Sequence, residues 1–170
     1  METLKVIKPK KLKSGDVVGI ISPSTAVWSR RDLSRGMKVL ESLGFKPRLA
    51  PRALDVRGSY LAGTREDRLQ DFHTMFLDDE VKAIFCSGGG YASIQLLPDI
   101  DWDIIEKHPK IFVGFSDITT LLTAITEKTG LITFHGPTVE QGLSMETKSG
   151  KFTVKNLKQA VMKGEPGKLS

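Results

Sequence analysis

Ile111-Phe-Val-Gly-Phe115 is an unbroken apolar run, and Ser116-Asp117 follows it at once, ahead of a segment with Ile118, Leu121, Leu122 and Ile125 at helical spacing. A run without polar alternation reads as a strand buried on both faces, as in a parallel sheet. A helix opening directly after such a strand reads as half of a βαβ unit.

The same grammar repeats outward from that stretch. Val17-Val-Gly-Ile-Ile21 runs into Ser22-Pro-Ser24, and Ala83-Ile-Phe-Cys86 runs into Ser87-Gly-Gly-Gly90. Phe45 to Leu49 follows Gly44, and Leu131-Ile-Thr-Phe134 runs into His135-Gly-Pro137. Between these runs lie helical patterns. Arg31 to Leu43 is closed by Gly44, and Thr64 to Phe76 starts on a Thr cap with acid in its first turn. Ser93 to Leu97 is stopped by Pro98, and Asp117 to Lys128 is ended by Gly130. Alternating strands and helices predict an α/β fold with right-handed crossovers, doubly wound around a mainly parallel sheet, with helices on both faces. The reading places one α/β domain in residues 1–150. Residues 151–170 read as a short helix followed by a Gly/Pro-rich linker, Gly164-Glu-Pro-Gly-Lys-Leu-Ser170.

Composition narrows the chemistry. The 170 residues are 39% hydrophobic and 26% charged, which suits a chain able to bury a core. The net charge of +5 comes from basic residues scattered among acids, which argues against nucleic acid as a partner. The single cysteine, Cys86, excludes an internal disulfide and a Cys-rich zinc site, and it points to the cytoplasm. No apolar run approaches the ~20 residues that span a bilayer, so no membrane association is expected.

Ligands of an open parallel sheet bind outside the carboxyl ends of its strands. There the sequence places Ser22-Pro-Ser-Thr25, Ser87-Gly-Gly-Gly-Tyr-Ala-Ser93, Gly114-Phe-Ser-Asp-Ile118 and His135-Gly-Pro137. Ser116 sits where a nucleophile elbow would, at a strand-to-helix turn with free N–H groups ahead of it for an oxyanion. The local pattern taken alone favours a serine N-cap, the usual role of serine before an amphipathic helix, and Ile118 stands where the full G-x-S-x-G motif needs glycine. The triple-glycine loop permits close backbone approach to an anion, or is a turn that needs positive φ. It is neither a Walker A loop nor a dinucleotide fingerprint, so no cofactor is expected. His73, His108 and His135 lack metal-ligand spacing, and Asp99, Asp101 and Asp103 lack the glycine and closing glutamate of a calcium loop. The three aspartates read as a solvated loop, and no metal is expected.

Taken in order, these segments resemble one family. They are Val18-Gly-Ile-Ile-Ser-Pro-Ser24, Gly44-Phe45, Leu61-Ala-Gly-Thr64 with Arg68 and Asp71, Ser87-Gly-Gly-Gly-Tyr91 with Leu96-Leu-Pro98, Lys110 to Thr119, and His135-Gly-Pro137. They look like the LD-carboxypeptidases, serine peptidases that include muramoyltetrapeptide carboxypeptidases and microcin C7 self-immunity proteins. The resemblance implies a flavodoxin-like N-terminal domain, Ser116 as the catalytic nucleophile, and an oxyanion hole from the backbone N–H groups of Gly89 and Asp117. It also implies a Glu and a His on a C-terminal domain absent from this chain, a small peptide or muropeptide substrate, and a homodimer. Gly88 stands where peptidoglycan-recycling members commonly carry Arg, and Ala92 where they carry Gly, which brings the loop closer to the microcin-immunity branch. The chain alone is expected to be inactive, because a serine hydroxyl needs a base within about 2.6–3.2 Å. The competing expectation is a non-catalytic module of the same fold that binds a small ligand or a protein partner.

Overall fold

The computed structural model describes residues 5–164. Five parallel strands form one sheet in the order β2-β1-β3-β4-β5. They are β1 Val17–Ile21, β2 Lys46–Leu49, β3 Val81–Cys86, β4 Ile111–Gly114 and β5 Phe134–His135. The α-helices are α1 Arg30–Ser42, α2 Arg65–Leu77, α3 Trp102–Lys107, α4 Thr119–Thr129 and α5 Lys148–Lys158. Two 3₁₀ segments, Ser93–Asp99 and Ser116–Ile118, precede α3 and α4, and wide helical turns occupy Val139–Leu143 and Gln159–Lys163.

The unbroken apolar strands are explained by two cores, one on each face. Ile84, Cys86 and Phe112 point into the layer built by Phe72, Met75 and Phe76 of α2, Ile105 of α3, and Leu121 and Ile125 of α4. Their alternate neighbours Ala83, Phe85, Ile111 and Val113 face Leu33 and Leu40 of α1, with Val139, Leu157 and Val161. The strand order is that of the flavodoxin-like doubly wound sheet, and the winding reverses between β1 and β3. The loops after β1, β3 and β4 therefore meet at one edge.

Local signals set the helix limits. Thr64 caps α2 in a full capping box with Asp67, and Ser29 caps α1 by accepting from Asp32 N–H. Gly130 closes α4 with φ 73°. The structure departs from the sequence reading in four places. Leu131 does not enter β5; it bridges to Ile7, leaving β5 with two residues. Pro98 lies inside the 3₁₀ segment Ser93–Asp99, whose looser bonding tolerates it. Asp101 and Asp103 do not sit in a mere loop: Asp101 caps α3 by accepting from Asp103 N–H, and both side chains remain exposed. At the other end, α5 starts before residue 151, and Leu157 and Val161 are buried in the second core. The expected linker from residue 165 onward lies outside the described residues.

Candidate active site

Strand β4 ends at Gly114, Phe115 is fully extended, and Ser116 then takes φ 62°. Ser116 is the only non-glycine with positive φ among the described residues. That left-handed conformation costs roughly 1–2 kcal/mol for an L-residue. It is imposed by a tight turn in which Ile118 N–H donates to Phe115 C=O at 3.3 Å. A Cβ on Gly114 would lie 2.6 Å from Cγ2 of Ile118, so the turn also needs a glycine there. The geometry is not that of an N-cap, whose backbone is extended and whose oxygen accepts from the helix. Neither the 3₁₀ turn nor α4 has a side-chain cap. The Ser116 hydroxyl is exposed and stands at the start of the helical segment, whose first N–H groups have no intrahelical acceptor.

The triple-glycine loop after β3 lies against it. A Cβ on Gly89 would come 3.1 Å from Ser116 Cβ and 3.4 Å from its Oγ. The Gly89 carbonyl is tied down by Thr25, whose Oγ1 donates at 2.7 Å and whose N–H donates at 3.3 Å. Gly90 adopts φ 138°, and a Cβ there would meet Ser24 Oγ at 2.5 Å. Ser22 and Ser87 hydroxyls share a hydrogen bond of 2.7 Å beneath the loop, and Ser22 also donates to Ala53 C=O. The three sequence-predicted site residues, Ser116, Gly89 and Asp117, are thus brought together.

The Asp117 side chain was not anticipated from sequence. Its Oδ2 accepts from Ser24 Oγ at 2.6 Å, Ser93 N–H at 2.9 Å and Ala92 N–H at 3.1 Å. Burial pushes this carboxyl up, but the bonds from Ser24, Ser93 and Ala92 together outweigh it and hold it below the usual range. Arg68, buried in α2, donates to Ala92 C=O, Pro23 C=O, Gln95 Oε1 and Thr64 C=O. Glu140 was missed altogether. It is buried, its N–H donates to Ser87 C=O at 2.8 Å, and its Oε1 accepts from Ser29 N–H at 2.5 Å. Burial raises its pKa. Only its position just after His135-Gly-Pro137 hinted at the site.

The histidines stand apart. His135 is exposed at the end of β5, edge-on to Phe115 with ring centroids 6.4 Å apart. His73 accepts from Asp101 N–H and is lowered by burial, and His108 caps α3. None is hydrogen-bonded to Ser116 among the described residues. No group of three or more His, Cys, Asp or Glu side chains among them is arranged to hold a metal ion. Cys86 is buried in the sheet, which pushes its thiol pKa far up. No helix among the described residues is long and apolar enough to cross a membrane. Beside Phe115, a cavity of about 470 Å³ is lined by Phe134, His135, Pro137, Phe152 and Leu157.

Such an arrangement can attack an electrophilic carbon from Ser116 Oγ and hold the resulting oxyanion on backbone N–H groups. Comparison with known proteins identifies the family. The family model for the LD-carboxypeptidase N-terminal domain matches residues 18–136. The probable murein peptide carboxypeptidase of Bacillus subtilis (strain 168) is 45% identical over 139 residues, covering 82% of this chain and 43% of that protein. The crystal structure of an MccF-like protein from Bacillus anthracis str. Ames superposes with a TM-score of 0.87 at 37% identity, covering 92% of this chain and 47% of that one. The microcin C7 self-immunity protein MccF, solved in complex with aspartyl sulfamoyl adenosine, gives a TM-score of 0.86 at 31% identity, with 91% and 46% covered. The chain thus spans under half the length of these relatives.

Proposed function

The chain belongs to the LD-carboxypeptidase family, and from that premise we propose that it is the nucleophile-bearing part of a serine hydrolase that cleaves an amide bond in a muropeptide or a peptidyl-nucleotide. The observation that carries this reading is the strained, uncapped Ser116 held against Gly89. A cap would gain nothing from φ 62°, whereas a nucleophile gains an exposed hydroxyl aimed off the sheet edge. The same observation favours hydrolysis over a module that only binds a ligand.

In this mechanism Ser116 Oγ attacks the scissile carbonyl carbon and gives its proton to a base. The tetrahedral oxyanion accepts hydrogen bonds from the N–H groups of Gly89 and Asp117. Collapse expels the amine, which takes the proton, and water then hydrolyses the acyl-serine. The Gly89 N–H donates to no group among the described residues, so it is available for this role. The base and its orienting partner are the His and Glu implied by the family resemblance, supplied from sequence downstream of this chain. The nucleophile domain in this reading comprises residues 1–150 together with α5 and the turn after it, whose Leu157 and Val161 are buried in the second core. The murein peptide relative and the aspartyl sulfamoyl adenosine complex mark the two substrate classes. The reading places the protein in the cytoplasm, in keeping with its single buried cysteine, as a homodimer.

The test is cleavage of a murein tetrapeptide and of a peptidyl-nucleotide by this chain and by a version continued through the second domain. Turnover is expected only in the longer version, and Ser116→Ala should abolish it. Equal turnover by the chain alone would overturn the divided triad, and turnover that survives Ser116→Ala would overturn the hydrolase.

A further inference from the structure

We infer that the Asp117 carboxylate is a positioning residue, which sets the triple-glycine loop over Ser116 through Ser24, Ala92 and Ser93; its catalytic meaning rests on the hydrolase reading above. Three donors from two other loops converge on one oxygen, Oδ2: Ser24 Oγ, Ala92 N–H and Ser93 N–H. Ser24 Oγ also accepts from Ala92 N–H at 3.0 Å, so hydroxyl and carboxylate share that donor. The tie is returned by Ser93 Oγ, which donates to Asp117 C=O at 2.8 Å. The residue after Ser116 is therefore bonded through both its side chain and its backbone to the residues that close the glycine loop.

The loop cannot shift without breaking this set. Gly90 lies directly on Ser24 and Thr25, and Gly89 C=O is held by Thr25. Arg68, the charged group facing Asp117 from α2, grips Pro23 C=O and Ala92 C=O from the opposite side. Oδ2 is committed to three donors. The carboxylate stays ionised, and its charge-assisted bonds stiffen the loop that would bind an oxyanion.

Amide exchange in this 170-residue chain tests the assignment without any turnover. Thr25 N–H donates to Gly89 C=O and Glu140 N–H donates to Ser87 C=O, so both report the place of the loop and neither touches Asp117. Asp117→Ala is expected to speed their exchange more than tenfold, while core amides of β3 and β4 keep their rates. Asp117→Asn, which retains one acceptor oxygen but puts an NH₂ among donors, should recover part of the protection. Ser24→Ala, a milder change, should give a smaller loss at the same two amides and keeps the test open if Asp117→Ala does not fold. Exchange at Thr25 and Glu140 within twofold of wild type in Asp117→Ala, or in Ser24→Ala if Asp117→Ala does not fold, overturns the assignment, as does a uniform rise across the core. A released loop in a protein whose extended form never acylates Ser116 would leave the positioning standing and remove the hydrolase. Acylation with an unmoved loop would do the reverse.

Discussion

Gly89 stands so close to Ser116 that a methyl group on it would lie 3.1 Å from the serine Cβ and 3.4 Å from its Oγ. The two residues come from loops after different strands, β3 and β4, which pair in parallel at the centre of the sheet. Gly89→Ala should displace Ser116 by a few tenths of an ångström. In the protein extended through its second domain, kcat is expected to fall at least tenfold, since small misplacements of a reacting group are costly. Steady-state kinetics beside a thermal melt would check this, because the fold should lose no more than about 1–3 kcal/mol.

Ser116 holds a conformation that suits glycine, and its hydroxyl caps nothing. Ser116→Gly is therefore expected to stabilise the chain by about 1 kcal/mol by relieving the left-handed strain. Ser116→Ala should stay within about 0.5 kcal/mol of wild type, where loss of a true cap would cost about 0.5–2 kcal/mol. Urea unfolding of both variants separates these outcomes.

Asp71 is buried in α2, and burial raises its carboxyl to about 6, although Arg52 N–H donates to it. The folded state thus holds a proton that the unfolded state releases near pH 4. Its contribution to stability is complete below pH 4 and is lost as pH rises through about 6. Asp71→Asn keeps an acceptor for Arg52 and carries no charge. It should flatten this part of the pH profile and raise the melting temperature at pH 8, by an amount read from melts between pH 4 and 8.

Phe112 lies at the centre of the first core, with ring centroids 5.7 Å from Phe72 and 6.0 Å from Phe76. Phe112→Ala removes a fully buried ring from the strand that delivers Ser116. A loss of about 3–5 kcal/mol is expected in a denaturant titration.

Some of this was legible in the chain itself. Strands buried on both faces need apolar residues at every position, so β1, β3 and β4 could be read directly, and Thr64, Gly44 and Gly130 marked helix ends by local chemistry. β5 was misplaced because Leu131 is claimed by Ile7, a partner 124 residues away that no local pattern names. Arg68 and Asp71 were visible as motif positions, but their buried roles were not.

By itself the sequence determined that apolar strands alternate with capped helices, and hence that small polar and glycine-rich loops gather at one edge of a doubly wound sheet. It also carried the family resemblance, through the order of those loops. It could not decide between cap and nucleophile at Ser116, because both put serine before a helix and differ only in one backbone angle. That angle is set by Gly114 against Ile118 and by the packing of Gly89 on Ser116. Nor could it show Asp117 bonded to Ser24, 93 positions earlier, or Glu140 bonded to Ser29, 111 positions earlier. Hydrogen bonds across such separations depend on which strand ends the sheet brings together, and that is decided only when the strands pair.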